Sequence, residues 1–197
     1  MAPGTNILSA RSSLLQGPTF GWGAWPASDR YMFNGGTSMA TPLLAGAAAL
    51  VRQYLRKVKR RTQPSAALIK ATLIHGAGYR RYRHEPAGEG LYDWSQGWGH
   101  VDLGRSLLPQ GAANIRWYDQ RQGLNTGQSW RWSCQVDDTS VPLAFTLVWT
   151  DFPGSPSTYP NLVNDLDLVI TSPSGAVIYG NSRTAAPGGA PDRTNNV

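Results

Sequence analysis

The chain has 197 residues, of which 41% are hydrophobic and 15% charged. That length holds one domain, or part of one and a small second one, and the composition is globular and excludes an intrinsically disordered chain. The formal net charge is +6, and much of it is local: Arg52, Arg56, Lys57, Lys59, Arg60 and Arg61 crowd one stretch, and Arg80, Arg81 and Arg83 another.

Residues 1–10 read as a turn followed by a short strand around Ile7 and Leu8. Residues 11–37 are rich in Gly, Pro, Ser and aromatics, the composition of an irregular surface loop. A helix is predicted from Thr37, with Pro42 in its first turn, where the missing N–H costs nothing. Leu43 to Leu55 is nearly all Ala, Leu, Gly and Val, so this helix is expected to be buried on every side. It runs out into the first basic cluster, whose cations complement the C-terminal end of the helix dipole. A basic run can also bind nucleic acid, but no nucleic-acid motif surrounds either cluster; the expectation is a solvated helix end and no nucleic-acid partner. A second helix is predicted from Pro64 to about His75, stopped by Gly76 and Gly78. Residues 77–96 read as a polar loop, and Gly97 to Asp102 leads into a short helix near Leu103 to Leu108, ended by Pro109 and Gly111.

After about residue 112 the period changes. Trp130, Trp132 and Cys134 alternate with polar residues, as do Leu143, Phe145, Leu147 and Trp149, and Leu166, Leu168 and Ile170. Alternation of period two between Pro/Gly turns predicts antiparallel strands, and Ser172-Pro173-Ser174-Gly175 a turn joining two of them. Pro187 to Val197 holds little that could complete a sheet, so the β part is expected to be cut off. The organisation read from these patterns is a portion of helices with one short strand over 1–112 and an all-β sandwich or jelly roll over 113–197, the latter incomplete. A single cysteine, Cys134, excludes an intrachain disulfide and a cysteine-based metal site. No apolar run approaches the ~18 residues of a membrane span, so none is expected. The N-terminus lacks the pattern of a signal peptide and reads as the middle of a protein, with any export signal upstream.

The sharpest local signal is Gly36-Thr37-Ser38-Met39-Ala40-Thr41-Pro42 ahead of the small-residue helix. A serine in the first turn of a helix lies among orphan N–H groups at the positive end of the dipole, where an oxyanion would be stabilised. By position alone an ordinary N-cap serine is the better explanation of Ser38. The full heptapeptide closely resembles the nucleophile motif of the subtilisin-like serine proteases, the subtilases. Ala2-Pro3-Gly4-Thr5-Asn6-Ile7-Leu8 resembles the segment before that serine, and the Pro64–Ala77 helix and Gly97–Asp102 resemble the segments after it. The resemblance implies the C-terminal part of an α/β catalytic domain whose helices pack on a mainly parallel sheet. It also implies Ser38 as nucleophile, with its own N–H contributing to the oxyanion hole, a polypeptide substrate, and secretion.

The triad order of that family is Asp, then His, then Ser. No histidine occurs in residues 1–37, the only acid there is Asp29, and His75, His84 and His100 all come after Ser38. Since a serine hydroxyl without a base is a poor nucleophile, the chain alone is expected to be close to inert, its full-length parent being a serine endopeptidase. A second resemblance lies in Val148-Trp149-Thr150-Asp151, Val163 to Ile170, Ser172 to Gly175, Tyr179-Gly180-Asn181 and Asn195-Asn196-Val197. These strings look like the β-barrel located after the catalytic domain in a subgroup of bacterial alkaline subtilases, and are distantly similar to the P-domain of kexin-like convertases. Some subtilases of this kind bind calcium there. Asp165 and Asp167, two apart on an expected strand, face the same side, and Asp151, Asn164, Asn181 and Asp192 could add hard oxygen ligands, so a structural Ca²⁺ at Asp165 and Asp167 is one reading, beside the favoured alternative that these are solvent-facing turn and edge residues. The competing functional expectation is a non-catalytic β-sandwich binding or docking unit in which the serine region is vestigial.

Overall fold

The computed structural model describes residues 1–15, 22–78, 96–108, 114–140, 143–181 and 189–194. Strand β1 (Ile7–Ala10) pairs with β3 (Ser28–Asn34), which pairs on its other edge with β2 (Ala24–Trp25), giving the order β1-β3-β2. Ile7 faces Asn34 and Ala10 faces Tyr31 across the first pair. Part of the stretch expected as an irregular loop is therefore a β-hairpin. Its aromatic and Met residues favour strands once one of them is buried, and Met32, at 9% exposure, is the residue that turns inward. Trp25 and Tyr31 meet edge to face, with centroids 5.9 Å apart. The mainly parallel sheet expected for 1–112 is not found among the described residues, where every strand pair is antiparallel. A β-hairpin needs only its own short turn, whereas a parallel partner needs a crossover connection, and no crossover joins two of these strands.

Helix α1 (Thr37–Lys57) starts where the motif predicts, capped by Gly36 at φ 140, and carries Pro42 in its first turn. Its burial departs from the expectation. Ala47, Val51 and Leu55, spaced by four, form one buried stripe, while Leu43 and Leu50 are 43% and 52% exposed. A uniformly apolar helix carries no mark of which face will find a partner, and here only one face has found one. Helix α2 (Ala66–His75) begins two residues after Pro64 because Ser65 caps it, its hydroxyl accepting the Leu68 N–H at 3.0 Å. Helix α3 (Leu103–Leu107) is capped in the same way by Asp102, whose Oδ1 accepts the Arg105 N–H at 3.0 Å. The three helices meet around Val51, Leu55 and Leu68, with Ile69, Leu73, Leu103, Leu107 and Trp117 packed against them. Gly76, just past α2, allows this closeness: a Cβ there would overlap the backbone and hydroxyl of Ser106 on α3. Pro109 and Gly111, expected to end α3, lie outside the described residues.

Beyond residue 113 the described regular structure is one antiparallel hairpin, β4 (Val169–Thr171) with β5 (Val177–Tyr179), turned as expected at Ser172–Gly175 with Gly175 at φ 84. The jelly roll expected over 113–197 is not supported. Alternation does persist, with Leu166, Leu168 and Ile170 half-buried and Asp165, Asp167 and Val169 exposed. Alternation fixes which face a strand turns inward, but a ladder also requires a neighbour's N–H and C=O groups in register; among the described residues the stretch ending in Ile170 finds one in β5, while 130–134 and 143–149 form no strand. The segment is nevertheless tied to the helices. The Arg61 guanidinium donates to the Trp117 carbonyl, Lys59 Nζ stands 4.7 Å from the Trp117 ring, Tyr54 tilts against that ring at 6.2 Å, and Asp119 accepts the Ser65 N–H at 3.0 Å. No helix among the described residues is long and apolar enough to cross a membrane.

Leu55→Ala should lower the unfolding free energy by about 2–5 kcal/mol, because the buried stripe of α1 cannot collapse onto the smaller side chain; urea denaturation followed by circular dichroism reads it directly. Gly76→Val should be more severe than Gly46→Val on the exposed face of α1, since its side chain must displace α3 backbone whereas a Cβ at Gly46 meets nothing within 4 Å, and the same denaturation series compares the two.

Candidate active site

Ser38 is the second residue of α1, and it is exposed. The chain ahead of it is held from two sides. Gly36 N–H donates to the Gly4 carbonyl at 2.6 Å, and a Cβ on Gly4 would sit 2.7 Å from the Gly36 carbonyl oxygen, so only glycine permits this approach. On the other side the Trp22 ring lies over Gly35 so closely that a Cβ there would overlap it. Trp22 is itself tied to β3, its N–H donating to the Phe33 carbonyl at 2.9 Å. The serine is thus delivered by a turn whose geometry two glycines and one indole impose.

The first-turn amides divide into two kinds. Met39 and Ala40 N–H donate back to the Gly36 carbonyl at 3.1 and 3.3 Å, whereas those of Thr37 and Ser38 have no acceptor among the described residues. Two free amides at the positive end of a 21-residue helix, beside an exposed hydroxyl, can stabilise negative charge forming next to that hydroxyl.

Among the described residues the Ser38 hydroxyl is bonded to no imidazole. His75 closes α2 and its Nδ1 meets Thr146 Oγ1 at 3.0 Å, while His100 pairs its backbone with Gly78 and keeps Nε2 buried without a partner. His84 lies outside the described residues. Asp29 is exposed on β3.

Several acids of the C-terminal part are engaged by donors, while Asp167 is exposed. Asp165 Oδ2 accepts from Arg193 at 3.0 Å, and Asp192 Oδ2 from Asn181 at 2.6 Å. Asp151 accepts the N–H groups of Phe152, Val163 and Asn164 and the Asn164 amide at 2.7–2.9 Å. Desolvation opposes ionisation of Asp151, but those donors outweigh it and hold its carboxyl below the usual range. Among the described residues no three His, Cys, Asp or Glu side chains gather as a metal site would require. Asn195–Val197, part of the second resemblance, lie outside the described residues.

Comparison with known proteins decides the family. The family model of the subtilases matches residues 1–99, which include the Ser38 turn and both flanking segments. The chain belongs to the subtilase family. Among curated proteins it is 32% identical, over 86% of its own length, to "Serine protease/ABC transporter B family protein tagA" of Dictyostelium discoideum, and 28% identical over 92% to tagD of the same name and organism. It is 33% identical over 55% of its length to "Subtilisin-like protease SBT1.6" of Arabidopsis thaliana. The two Dictyostelium matches reach beyond the subtilase match, so the likeness continues into the part after residue 99. The chain spans 10% and 13% of the length of those two relatives and 14% of the plant one.

Sequence reasoning located Ser38 but did not foresee Trp22 over Gly35. Its only signal was an aromatic-rich loop, and ring placement depends on the β2–β3 hairpin that the composition concealed.

Burial lowers the His75 pKa from its ordinary value, because the half-buried ring is costly to charge. A folded-state pKa below the unfolded one means stability that is complete above about pH 6.5 and is lost as pH falls through the folded value. The denaturation midpoint should therefore fall on acidification below about pH 6.5, and His75→Gln should flatten that part of the profile; urea melts between about pH 7.5 and 5 compare the two chains.

Proposed function

We propose that Ser38 is the nucleophile of a serine endopeptidase that cleaves polypeptides through an acyl-enzyme. The observation that carries this reading is the exposed Ser38 hydroxyl beside the unpartnered Thr37 and Ser38 amides at the start of α1, in a chain of the subtilase family. In the reaction Ser38 Oγ attacks the scissile carbonyl carbon, its proton passes to a base, and the carbonyl oxygen becomes an oxyanion facing those amides. Collapse of the tetrahedral intermediate expels the amine, which takes the proton back from the base, and water then releases the acyl group. Among the described residues no imidazole is bonded to the Ser38 hydroxyl, and a serine without a base is a poor nucleophile, so the reading predicts that the chain by itself is close to inert.

Secretion, and placement in the bacterial alkaline subgroup with a C-terminal β-barrel, are supported only by the residue strings in 148–181 and by the N-terminal resemblance. A structural calcium ion at Asp165 and Asp167 would have to displace Arg193 from Asp165.

Fluorophosphonate labelling read by intact mass tests the nucleophile. The isolated chain should gain no mass. A fusion of the chain behind the Asp- and His-bearing region of another subtilase should be labelled, with the label lost on Ser38→Ala and turnover falling by about six orders of magnitude. Labelling of the isolated chain that Ser38→Ala abolishes would show that a base is present within it. A folded fusion that stays unlabelled would remove Ser38 from the role.

A further inference from the structure

The basic run at the end of α1 was expected to be a solvated helix end, but two of its arginines face a cleft. The cleft has a volume of about 580 Å³ and lies between the last turns of α1 and the segment entering α2. Arg52 and Arg56, one turn apart, supply one wall, and Thr62, Gln63 and Ser65 the floor. Arg121 closes it from the segment strapped across the helices. The side chain of Arg121 is fixed in place: its guanidinium donates to the Gln63 carbonyl and to Asp119 Oδ2 at 3.3 Å.

Charge in the cleft does not balance. Asp119 is the one acid at its edge among the described residues, and its Oδ2 is already shared by Arg121 and the Ser65 N–H. Arg52 and Arg56 are exposed and have no carboxylate partner among the described residues, where the only ion pairs are Arg121–Asp119 and Arg193–Asp165. Two uncompensated guanidinium forks therefore converge on a space that also faces the start of α2, a ten-residue helix. Guanidinium forks bind tetrahedral oxyanions in pairs of parallel hydrogen bonds, hydroxyls and side-chain amides complete such a shell, and the helix dipole adds to it. The volume falls within the range of small-molecule sites, which is larger than one phosphate needs.

We propose that this cleft binds a small polyvalent oxyanion, a molecule carrying two or more phosphate groups, between Arg52, Arg56 and Arg121. The site is separate from Ser38 and does not depend on the proteolytic reading. It differs from general attraction by a basic surface in one respect: Lys57 and Arg60 belong to the same run and are equally exposed, yet neither lines the cleft.

That difference supplies the test. Isothermal titration of the 197-residue chain with sodium tripolyphosphate should show one site, with pyrophosphate weaker and inorganic phosphate weakest. Arg52→Gln/Arg56→Gln should lose at least about tenfold in affinity, as expected for two charge-assisted contacts, while Lys57→Gln/Arg60→Gln, which removes the same charge, should stay within about twofold. Equal losses in the two double variants would mean diffuse charge attraction and overturn the proposal, as would the absence of any binding heat with tripolyphosphate. Phenylglyoxal modification of the unaltered chain, mapped by peptide mass, makes the result independent of variant folding. Tripolyphosphate should protect Arg52 and Arg56 more than Arg60, and uniform protection would again overturn the site.

Discussion

The burial of one stripe of α1 is the constraint on which the rest of the chain depends. Val51 and Leu55 are fully buried, and the helix that carries them also carries Ser38 at one end and the arginines of the cleft at the other. Both features are positioned by one helix whose C-terminal turns are clamped by α2, α3 and the Trp117 ring. The clamp relies in turn on Gly76, because any side chain there would hold α3 away from α2 and open the pocket that Leu55 fills.

The start of α1 is specified differently from its middle. No side chain caps it, and the orphan amides of its first turn are only partly satisfied by the Gly36 carbonyl. A capping Ser, Thr or Asp at position 36 would stabilise the helix by satisfying those amides. It would also occupy the donors that an oxyanion beside Ser38 would use. Gly36, at φ 140, instead leaves the amides free and lets the backbone turn sharply into the helix, and Gly4 and Trp22 brace that turn from outside. Local stability is given up where the chemistry would need unoccupied donors.

The segment after residue 113 shows how attachment and regularity can part. It forms few ladder hydrogen bonds among the described residues, yet Trp117, Asp119 and Arg121 are bound to the stretch between α1 and α2 by cation–π contact and hydrogen bonds to backbone. Farther along, Thr146 reaches His75 at the end of α2. This strap converts the exposed end of α1 into one wall of a cleft, and it does so with residues more than fifty positions from the helix they meet.

Much of the first part was legible because its signals are local. The heptapeptide around Ser38, the run of small residues behind it, Ser65 before a helix and Gly76 after it each act through neighbours a few residues away, so sequence by itself determined the helices, the candidate nucleophile and the family. The turn at Ser172–Gly175 was legible for the same reason. Three things were decided only by tertiary structure. Composition cannot tell which face of a uniformly apolar helix is buried, and α1 buries one stripe while Leu43 and Leu50 stay exposed. Alternation in 130–149 assigns faces to extended chain but cannot supply a hydrogen-bonding neighbour, so the expected sandwich is not supported among the described residues. A basic run reads the same whether it faces water or a cleft, and Arg52 and Arg56 became part of a site only when the fold brought Arg121 across to them, because electrostatic fields add through space and not along the chain.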